Sequence, residues 1–294
     1  MEQYHPVVNF IFFCAVIGLG MFWNHPVCLI ISMVGAGTYT VLLFGWERAG
    51  KRMSGLFGLM VFTAVLNPAF SHQGVTVLAY LPTGNVLTLE SVCYGIGAAC
   101  MLGAVLLWFR CMNEVITSDK IVYLFGRTFP VFGLLLSMVL GFIPKTQRKL
   151  LEIRSARRHS SKEQQGIFKS QLQRIKSGIE NLSVLITWAL EDAVETADSM
   201  KGRGYGLEGR TVFAVYRFTR RDGRMCIVLG FEIFYLVAAG ILGGVEWNYY
   251  PYIEGAGFGI YSVSVYLVYF VMCLTPVFME LFEERRWNRL RSAI

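Results

Sequence analysis

Charged residues are scarce in this chain of 294 residues, making up 16% of it, whereas an ordinary soluble domain carries about 25%. Hydrophobic residues reach 54%, and the mean hydropathy is +0.49. The excess of positive charge lies between Lys145 and Lys176, where there are ten Lys/Arg and two Asp/Glu. The rest of the chain has seventeen Lys/Arg and eighteen Asp/Glu. This pattern excludes a secreted disulfide scaffold, a disordered tail protein and a soluble nucleic-acid binder with dispersed basic residues. It predicts a polytopic membrane protein with one basic segment and no nucleic-acid partner.

Sequence motifs for catalysis and metal binding are also missing. The chain has no G-x-x-x-x-G-K-[ST], no G-x-S-x-G and no C-x-x-C among its seven cysteines. Its four histidines are scattered and show no metal-ligand spacing: His5, His25, His72 and His159. We therefore expect no catalytic residues, no metal and no cofactor, and we expect any ATP hydrolysis to take place on another protein.

Long runs without charge predict the membrane spans. No Asp, Glu, Lys or Arg occurs from Gln3 to Trp46, which is long enough for two spans of about 20 residues. Asn67-Pro68 predicts a kink or a break in the third span. The expected fold is an all-α polytopic membrane protein with about six transmembrane helices and long cytoplasmic or interfacial coupling helices. The spans are expected near residues 6–23, 27–45, 56–79, 91–109, 225–245 and 257–279.

Lysine and arginine predict the orientation of the chain. They occur around 48–52, in 145–176, in 201–224 and in the C-terminal tail, but are absent from 80–90 and 246–255. The positive-inside rule then places the basic segments and the C-terminus in the cytoplasm of a multi-pass cell-membrane protein. The apolar run from Thr128 to Pro144 lies between two segments assigned to the cytoplasm. A single crossing there would place the basic segment 145–176 outside. The run is either re-entrant or interfacial, or it crosses together with 110–127.

A middle region, 145–206, separates N-terminal transmembrane helices in 1–144 from C-terminal ones in 207–294. Lys145 to Ser161 reads as a short basic helix. From Phe168 to Met200, apolar residues advance in steps of three or four, which predicts an amphipathic helix of about 35 residues. Periodicity alone leaves a coiled coil or a plain surface helix open.

The end of this long helix is the most unusual segment. Asp192, Glu195 and Asp198 precede Met200-Lys201-Gly202-Arg203-Gly204-Tyr205-Gly206. Glycine commonly ends helices, and an arginine between glycines could enter a partner's groove and pair with a carboxylate there. A plain glycine cap with a solvated arginine stays open. The glycine spacing resembles a dinucleotide fingerprint, but it follows a helix instead of a strand.

Within the predicted spans, two further features stand out. Glu232 is an ionisable group inside a span and therefore a functional candidate, unless the helix leaves it near the interface. Glycines at 95, 97, 103, 240, 243, 244, 255, 257 and 259 favour close helix packing.

Several motifs resemble one family, the T component of energy-coupling-factor (ECF) transporters, which is related to the cobalt-transport permease. Gly84-Asn85-Val86-Leu87-Thr88-Leu89-Glu90-Ser91 is similar to its G-N-x-x-T-x-E segment, and Thr117-Ser118-Asp119-Lys120 with Arg110 to the pattern after that span. Ala156-Arg157-Arg158 and Gly202-Arg203-Gly204 resemble its two Ala-Arg-Gly-like motifs at the ends of coupling helices. Arg158 stands where the first motif has glycine, and Gly202 where the second has alanine.

The resemblance implies a non-catalytic coupling subunit of an ATP-driven vitamin or metal-ion importer. Two ABC-type ATPase subunits would each receive one helix tip, at Ala156, Arg157 and Arg158 and at Gly202, Arg203 and Gly204. A substrate-binding membrane S component would then be reoriented in the bilayer. Two alternatives remain: a membrane scaffold whose basic segment binds anionic lipid or a protein partner, and a membrane enzyme that uses Glu232.

Overall fold

The chain is an all-α polytopic membrane protein. The structure is a computed structural model that describes residues 4–71, 73–80, 86–128, 130–160, 171–205, 216–255 and 259–291. Its helices are α1 Pro6–Phe22, α2 Pro26–Phe44, α3 Trp46–Phe70, α4 Leu89–Val115, α5 Ser118–Thr128, α6 Pro130–Ser160, α7 Gln171–Gly202, α8 Arg220–Ile241 and α9 Ile260–Arg291. Its strands are β1 Val77–Tyr80, β2 Val86–Thr88, β3 Trp247–Asn248 and β4 Glu254–Gly255.

Contacts divide the chain into two compact units. The six-helix unit comprises 1–117 and 216–294, and the arm unit comprises 118–215. By length and composition, α2, α3, α4, α8 and residues Ile260–Phe282 of α9 can each cross a membrane, and α1 is a shorter apolar helix of 17 residues. Residues 118–144, which form α5 and the first part of α6, belong to the arm unit by their contacts.

The first two helices begin with the same short sequence, His-Pro-Val. In each, the histidine is the N-cap, and its Nδ1 accepts the backbone N–H of the valine: His5 from Val7 at 3.4 Å and His25 from Val27 at 3.3 Å. Proline at the first helical position lacks an N–H that would have no partner there. Both helices lie within two residues of their predicted bounds because these caps determine where they begin.

The third span differs from its prediction. A span was expected near 56–79, with a kink or a break at Asn67-Pro68, but α3 begins ten residues earlier, at Trp46, and ends at Phe70. Val77–Tyr80 instead pairs antiparallel with Val86–Thr88. The charge-free run is apolar enough for a span, but its last residues form backbone hydrogen bonds to a neighbouring strand, which hydropathy does not distinguish from a helix. Pro68 lies inside α3, close to its end.

Side-chain contacts show how the six helices alternate in direction. The His5 N–H donates to Asp222 Oδ1 at 3.1 Å, so α1 and α8 begin at the same end of the unit, here called the N-terminal end. At the opposite end, His25 Nε2 and the Tyr266 hydroxyl lie 2.9 Å apart, which joins the beginnings of α2 and α9. Since α2 begins at the opposite end, it ends at the N-terminal end, and there Thr40 Oγ1 lies 3.3 Å from Cys111 Sγ, near the end of α4. Therefore α4 ends and α8 begins at the N-terminal end.

This arrangement bears on the number of crossings between α4 and α8. Because α4 ends and α8 begins at the same end of the six-helix unit, the segment between them makes an even number of crossings or none, which is consistent with both alternatives for Thr128 to Pro144. The described residues that connect helices at the opposite end, 23–25, 71, 73–80, 86–88, 242–255 and 259, contain no Lys or Arg. The basic residues at 48–52 and 220–224 and in the C-terminal tail all belong to the N-terminal end.

The core of the six-helix unit is built around Trp108, which is fully buried. Its ring meets Phe12, Phe13 and Tyr39 at centroid distances of 5.8–6.4 Å. Its Nε1–H donates to Ser32 Oγ at 3.1 Å, so the polar atom of this large side chain has a partner inside the core. Aromatic contacts with a paired N–H hold α1, α2 and α4 together without a charged group.

In the arm unit, α5 and α6 pack through glycine. A Cβ added to Gly133 would lie against the backbone of Gly126, so the two helices approach closely only because both side chains are hydrogen atoms. The basic helix expected to begin at Lys145 is not separate: α6 runs from Pro130 to Ser160 and contains Pro144. A proline removes one backbone hydrogen bond and can kink a helix without ending it.

Candidate functional site

The end of α7 forms a complete glycine cap. The helix ends at Gly202, and Gly204 has φ +76°, the left-handed conformation that favours glycine. The Tyr205 N–H donates to the Met200 carbonyl and the Gly204 N–H to the Lys201 carbonyl, both at 3.0 Å. These two bonds are the Schellman motif, which satisfies carbonyls that a helix end would otherwise leave without donors. The Gly-Arg-Gly sequence therefore ends the helix at a defined residue.

Arg203 occupies the cap position of this turn and is exposed. Its N–H donates to the Ser199 carbonyl at 3.1 Å. Within the described residues, no carboxylate lies within ion-pair distance of its guanidinium. A cation at a helix C-terminus is favoured by the helix dipole, and a guanidinium presents five donors in a fixed plane. The tip thus offers an unpaired cation on a narrow support that has glycine on both sides.

The first predicted motif lies on α6, two to four residues before its end. Ala156 is exposed and helical. The backbones of Arg157 and Arg158 continue α6, but their side chains lie outside the described part of the structure. The two motifs therefore have different local forms, since the first is part of a continuing helix and the second is a helix terminus.

The helices α6 and α7 meet around Trp188. Its ring stacks on Phe142 with a centroid distance of 6.1 Å and an interplanar angle of 12°. Lys145 Nζ and Lys149 Nζ each lie 5.8 Å from the centre of the Trp188 ring. Lys145 also forms an ion pair with Asp192 of α7. A stacked aromatic pair, two cation–π contacts and one ion pair thus hold the crossing together.

Helix geometry puts the two motifs on opposite sides of this crossing. Arg157 is about 15 Å beyond the crossing along α6, and Arg203 about 20 Å beyond it along α7, at 1.5 Å per residue. If the helices ran in the same direction, about 48 Å would separate residue 160 from residue 171. The chain between them can span at most about 40 Å, so the helices run in broadly opposed directions. The two motifs are then about 20–35 Å apart.

The amphipathic face of α7 differs from the face that contacts α6. Asn181, Leu185, Trp188, Ala189 and Asp192 are the half-buried positions in its middle. The predicted apolar stripe lies about one residue away around the helix, and most of its described members are exposed: Ile175, Ile179, Leu182, Ile186, Ala193 and Ala197. Phe168 lies outside the described residues. The crossing is therefore more polar than the sequence pattern suggested.

The T-x-E segment at the start of α4 has a structural role. The Thr76 hydroxyl donates to Glu90 at 2.7 Å, the Thr88 hydroxyl donates to the Gln73 carbonyl at 2.7 Å, and the Ser91 hydroxyl donates to the Ser71 carbonyl at 2.7 Å. Each of these three α4-side residues is buried. They fix the chain after α3 against the start of α4. Gly84 and Asn85 lie outside the described residues.

The remaining candidate, Glu232, lies on α8 and is half-buried. One of its carboxylate oxygens is buried and has no hydrogen-bond partner within the described residues. Those residues contain no group of three or more His, Cys, Asp or Glu that could hold a metal ion. Glu232 thus stands apart from any cluster that the structure describes.

The His-Pro-Val caps were missed by motif analysis, although their repetition at 5–7 and 25–27 is visible in the sequence. Burial lowers the pKa of His25, because desolvation disfavours the charged imidazolium. The neutral form leaves Nδ1 able to accept from Val27 and Nε2 able to donate to Tyr266. His25 therefore links the beginnings of α2 and α9 at one end of the six-helix unit.

Comparison with known proteins adds no family assignment, since no protein-family model and no curated protein sequence matches the chain.

Proposed function

We propose that this chain is the transmembrane coupling subunit of an ATP-driven ECF-type importer of a vitamin or metal ion. In this role two ABC-type ATPase subunits dock on the ends of α6 and α7, and the helices transmit their motion to a substrate-binding membrane S component. The chain itself catalyses nothing. The observation that carries the proposal is the exposed Arg203 on a capped helix tip, separated from the α6 motif by a single crossing.

The spacing of the motifs supports two separate partners. Tips about 20–35 Å apart are too far apart for one small groove, and they suit two subunits that move relative to each other. Because α6 and α7 are joined at one crossing, a displacement of one tip rotates the other helix about that point. Two stiff helices with a local contact can therefore act as a lever between two ATPases and the membrane.

Charge distribution supports the orientation that this role requires. The end of the six-helix unit from which the arm unit leaves has the basic segments, and the opposite loops have no Lys or Arg. By the positive-inside rule the arm unit and the C-terminus then lie in the cytoplasm of a cell-membrane protein. That is the compartment in which ATP and its hydrolysing subunits are found.

The test is co-purification of the tagged full-length chain from its native membranes, with ATP-binding-cassette subunits quantified by mass spectrometry. The unmodified chain is expected to bring down two such subunits per copy. Arg203→Glu reverses the charge at the tip and should remove one or both, together with ATP hydrolysis by the purified complex. Lys176→Glu is the matched control, since it makes the same charge change on an exposed residue of the same helix.

Full retention of both ATPase subunits by Arg203→Glu would contradict the docking role of this residue. The membrane-scaffold alternative makes the opposite prediction for the unmodified chain. Such a chain would purify without ATP-binding-cassette subunits and would bind vesicles of anionic lipid through its basic segment. That result would overturn the proposed function.

A further inference from the structure

Beside the crossing of α6 and α7 lies a cavity of about 490 Å³, whose lining comes from both helices of the arm unit. Its cationic residues are Lys145, Arg148 and Lys149, and its other charged lining residue is Glu152. Trp188 provides the α7 side. Positions i, i+3 and i+4 share one helical face, so α6 directs three cations toward the same space.

The three cations differ in whether a carboxylate pairs with them. Lys145 pairs with Asp192, and Lys149 with Glu152 at 3.2 Å. Arg148 has no carboxylate within ion-pair distance in the part of the chain that the structure describes. The cavity therefore keeps a net positive charge and one guanidinium available, and guanidinium geometry matches two oxygens of a phosphate.

The surface next to this cavity is apolar. Within the two turns before Lys145, α6 has hydrophobic side chains that the described residues leave partly exposed: Met138, Val139, Phe142 and Ile143 are 37–47% exposed. Trp188 lies between the two zones, with its ring stacked on Phe142 and beneath the two lysines. Tryptophan is typical of the level where hydrocarbon meets headgroups. A soluble phosphate would contact only the cations, whereas the acyl chains of a lipid would also contact the apolar surface.

We propose that this cavity, the crossing pocket, binds the phosphate headgroup of an anionic phospholipid. Arg148 and Lys149 contact the phosphate, and the acyl chains lie along the exposed hydrophobic residues of α6. A bound headgroup would add charge-assisted hydrogen bonds to Arg148 and Lys149 beside Trp188 and so stabilise the crossing. The site does not depend on the transporter assignment, because it requires only a bilayer.

Native mass spectrometry of the full-length chain in detergent tests this site, with palmitoyl-oleoyl phosphatidylglycerol as the probe and the matching phosphatidylcholine as the neutral comparison. A basic residue near an anionic surface contributes about fivefold in affinity. Arg148→Gln should weaken binding of the first phosphatidylglycerol about fivefold, and Arg148→Gln with Lys149→Gln about 25-fold. Arg154→Gln, which removes an exposed cation of the same helix outside the pocket, should change it less than about twofold.

Both pocket variants keep the Lys145–Asp192 pair, and circular dichroism with size exclusion verifies that they remain folded. Equal losses in Arg148→Gln and Arg154→Gln would overturn the proposal, because diffuse surface charge would then explain the binding. Equal affinity for the two lipids would also overturn it. Displacement of the lipid by inorganic phosphate or glycerophosphoglycerol at comparable concentration would assign the pocket to a free phosphate instead.

Discussion

The two glycines around Arg203 have different roles, and substituting each with alanine separates them. Gly204 has φ +76°, where a side chain is strained whatever space surrounds it. Gly202 is the last helical residue, and a Cβ added there would meet no atom within 4 Å. Gly204→Ala should therefore weaken the tip, and Gly202→Ala should strengthen it.

The sizes follow from the two conformations. An L-residue in the left-handed region costs about 1–2 kcal/mol, whereas alanine in place of glycine within a helix gains up to about 1 kcal/mol. At about 1.4 kcal/mol per factor of ten, Gly204→Ala should speed exchange of the tip amides by about 5–30-fold. Gly202→Ala should slow it by up to about fivefold, with a smaller effect because the position is terminal.

The assay is amide hydrogen exchange with mass spectrometry on peptides that cover residues 196–205. The reporting amides are those of Arg203, Gly204 and Tyr205, which donate to carbonyls of the last helical turn. If both substitutions change exchange in the same direction, the Schellman cap is not what holds the tip. The reasoning is refuted in the same way if Gly204→Ala leaves the exchange rates unchanged.

Two further perturbations concern the six-helix unit. A Cβ added to Gly35 would lie 2.8 Å from the Cβ of Cys273, so Gly35→Ala should destabilise by about 1–3 kcal/mol; thermal unfolding in detergent measures this, with Gly18→Ala as a control because Gly18 has open space. Burial lowers the pKa of His25, so the unfolded chain binds a proton that the folded chain does not, and stability should fall as pH drops below about 6.5. His25→Asn keeps an N-cap acceptor and should reduce this pH dependence between about pH 7.5 and 5.5.

Each of these two predictions has an outcome that would contradict it. An unchanged melting temperature in Gly35→Ala would mean that α2 and α9 are not in close contact there. A pH dependence that is identical in His25→Asn and the unmodified chain would mean that another group is responsible.

Much of the fold was accessible from sequence because its signals are local. Helix starts at Pro6 and Pro26 follow from proline and a preceding polar cap, and hydropathy predicted the remaining spans to within several residues, except for the third. Glycines expected to favour close helix packing do so at Gly95 and Gly103, where an added Cβ would approach α3 within 2.6–2.7 Å. The third span was misplaced because an apolar strand and an apolar helix have the same composition.

The candidate site was only partly accessible in this way. Arg203 was singled out correctly as a glycine-flanked helix end, since capping depends on adjacent residues. The crossing at Trp188 was not predicted, because a stacking of Phe142 on Trp188 joins residues 46 positions apart. In the sequence, the cations of the basic segment likewise cannot be told apart. Only the contact with α7 shows that Lys145 pairs with Asp192.

The sequence alone was sufficient to predict a polytopic membrane protein, an uneven distribution of Lys and Arg, and a glycine-capped helix end. Hydropathy, charge and backbone preference each act over a few neighbouring positions. The three-dimensional arrangement was needed for everything that depends on which helices meet. It placed both connections to the arm unit at one end, and it put the two motifs on opposite sides of a single crossing. Among the cations that line the crossing pocket, it also separated Lys145 and Lys149, which pair with carboxylates, from Arg148, which pairs with none in the described residues, because pairing depends on distance in space.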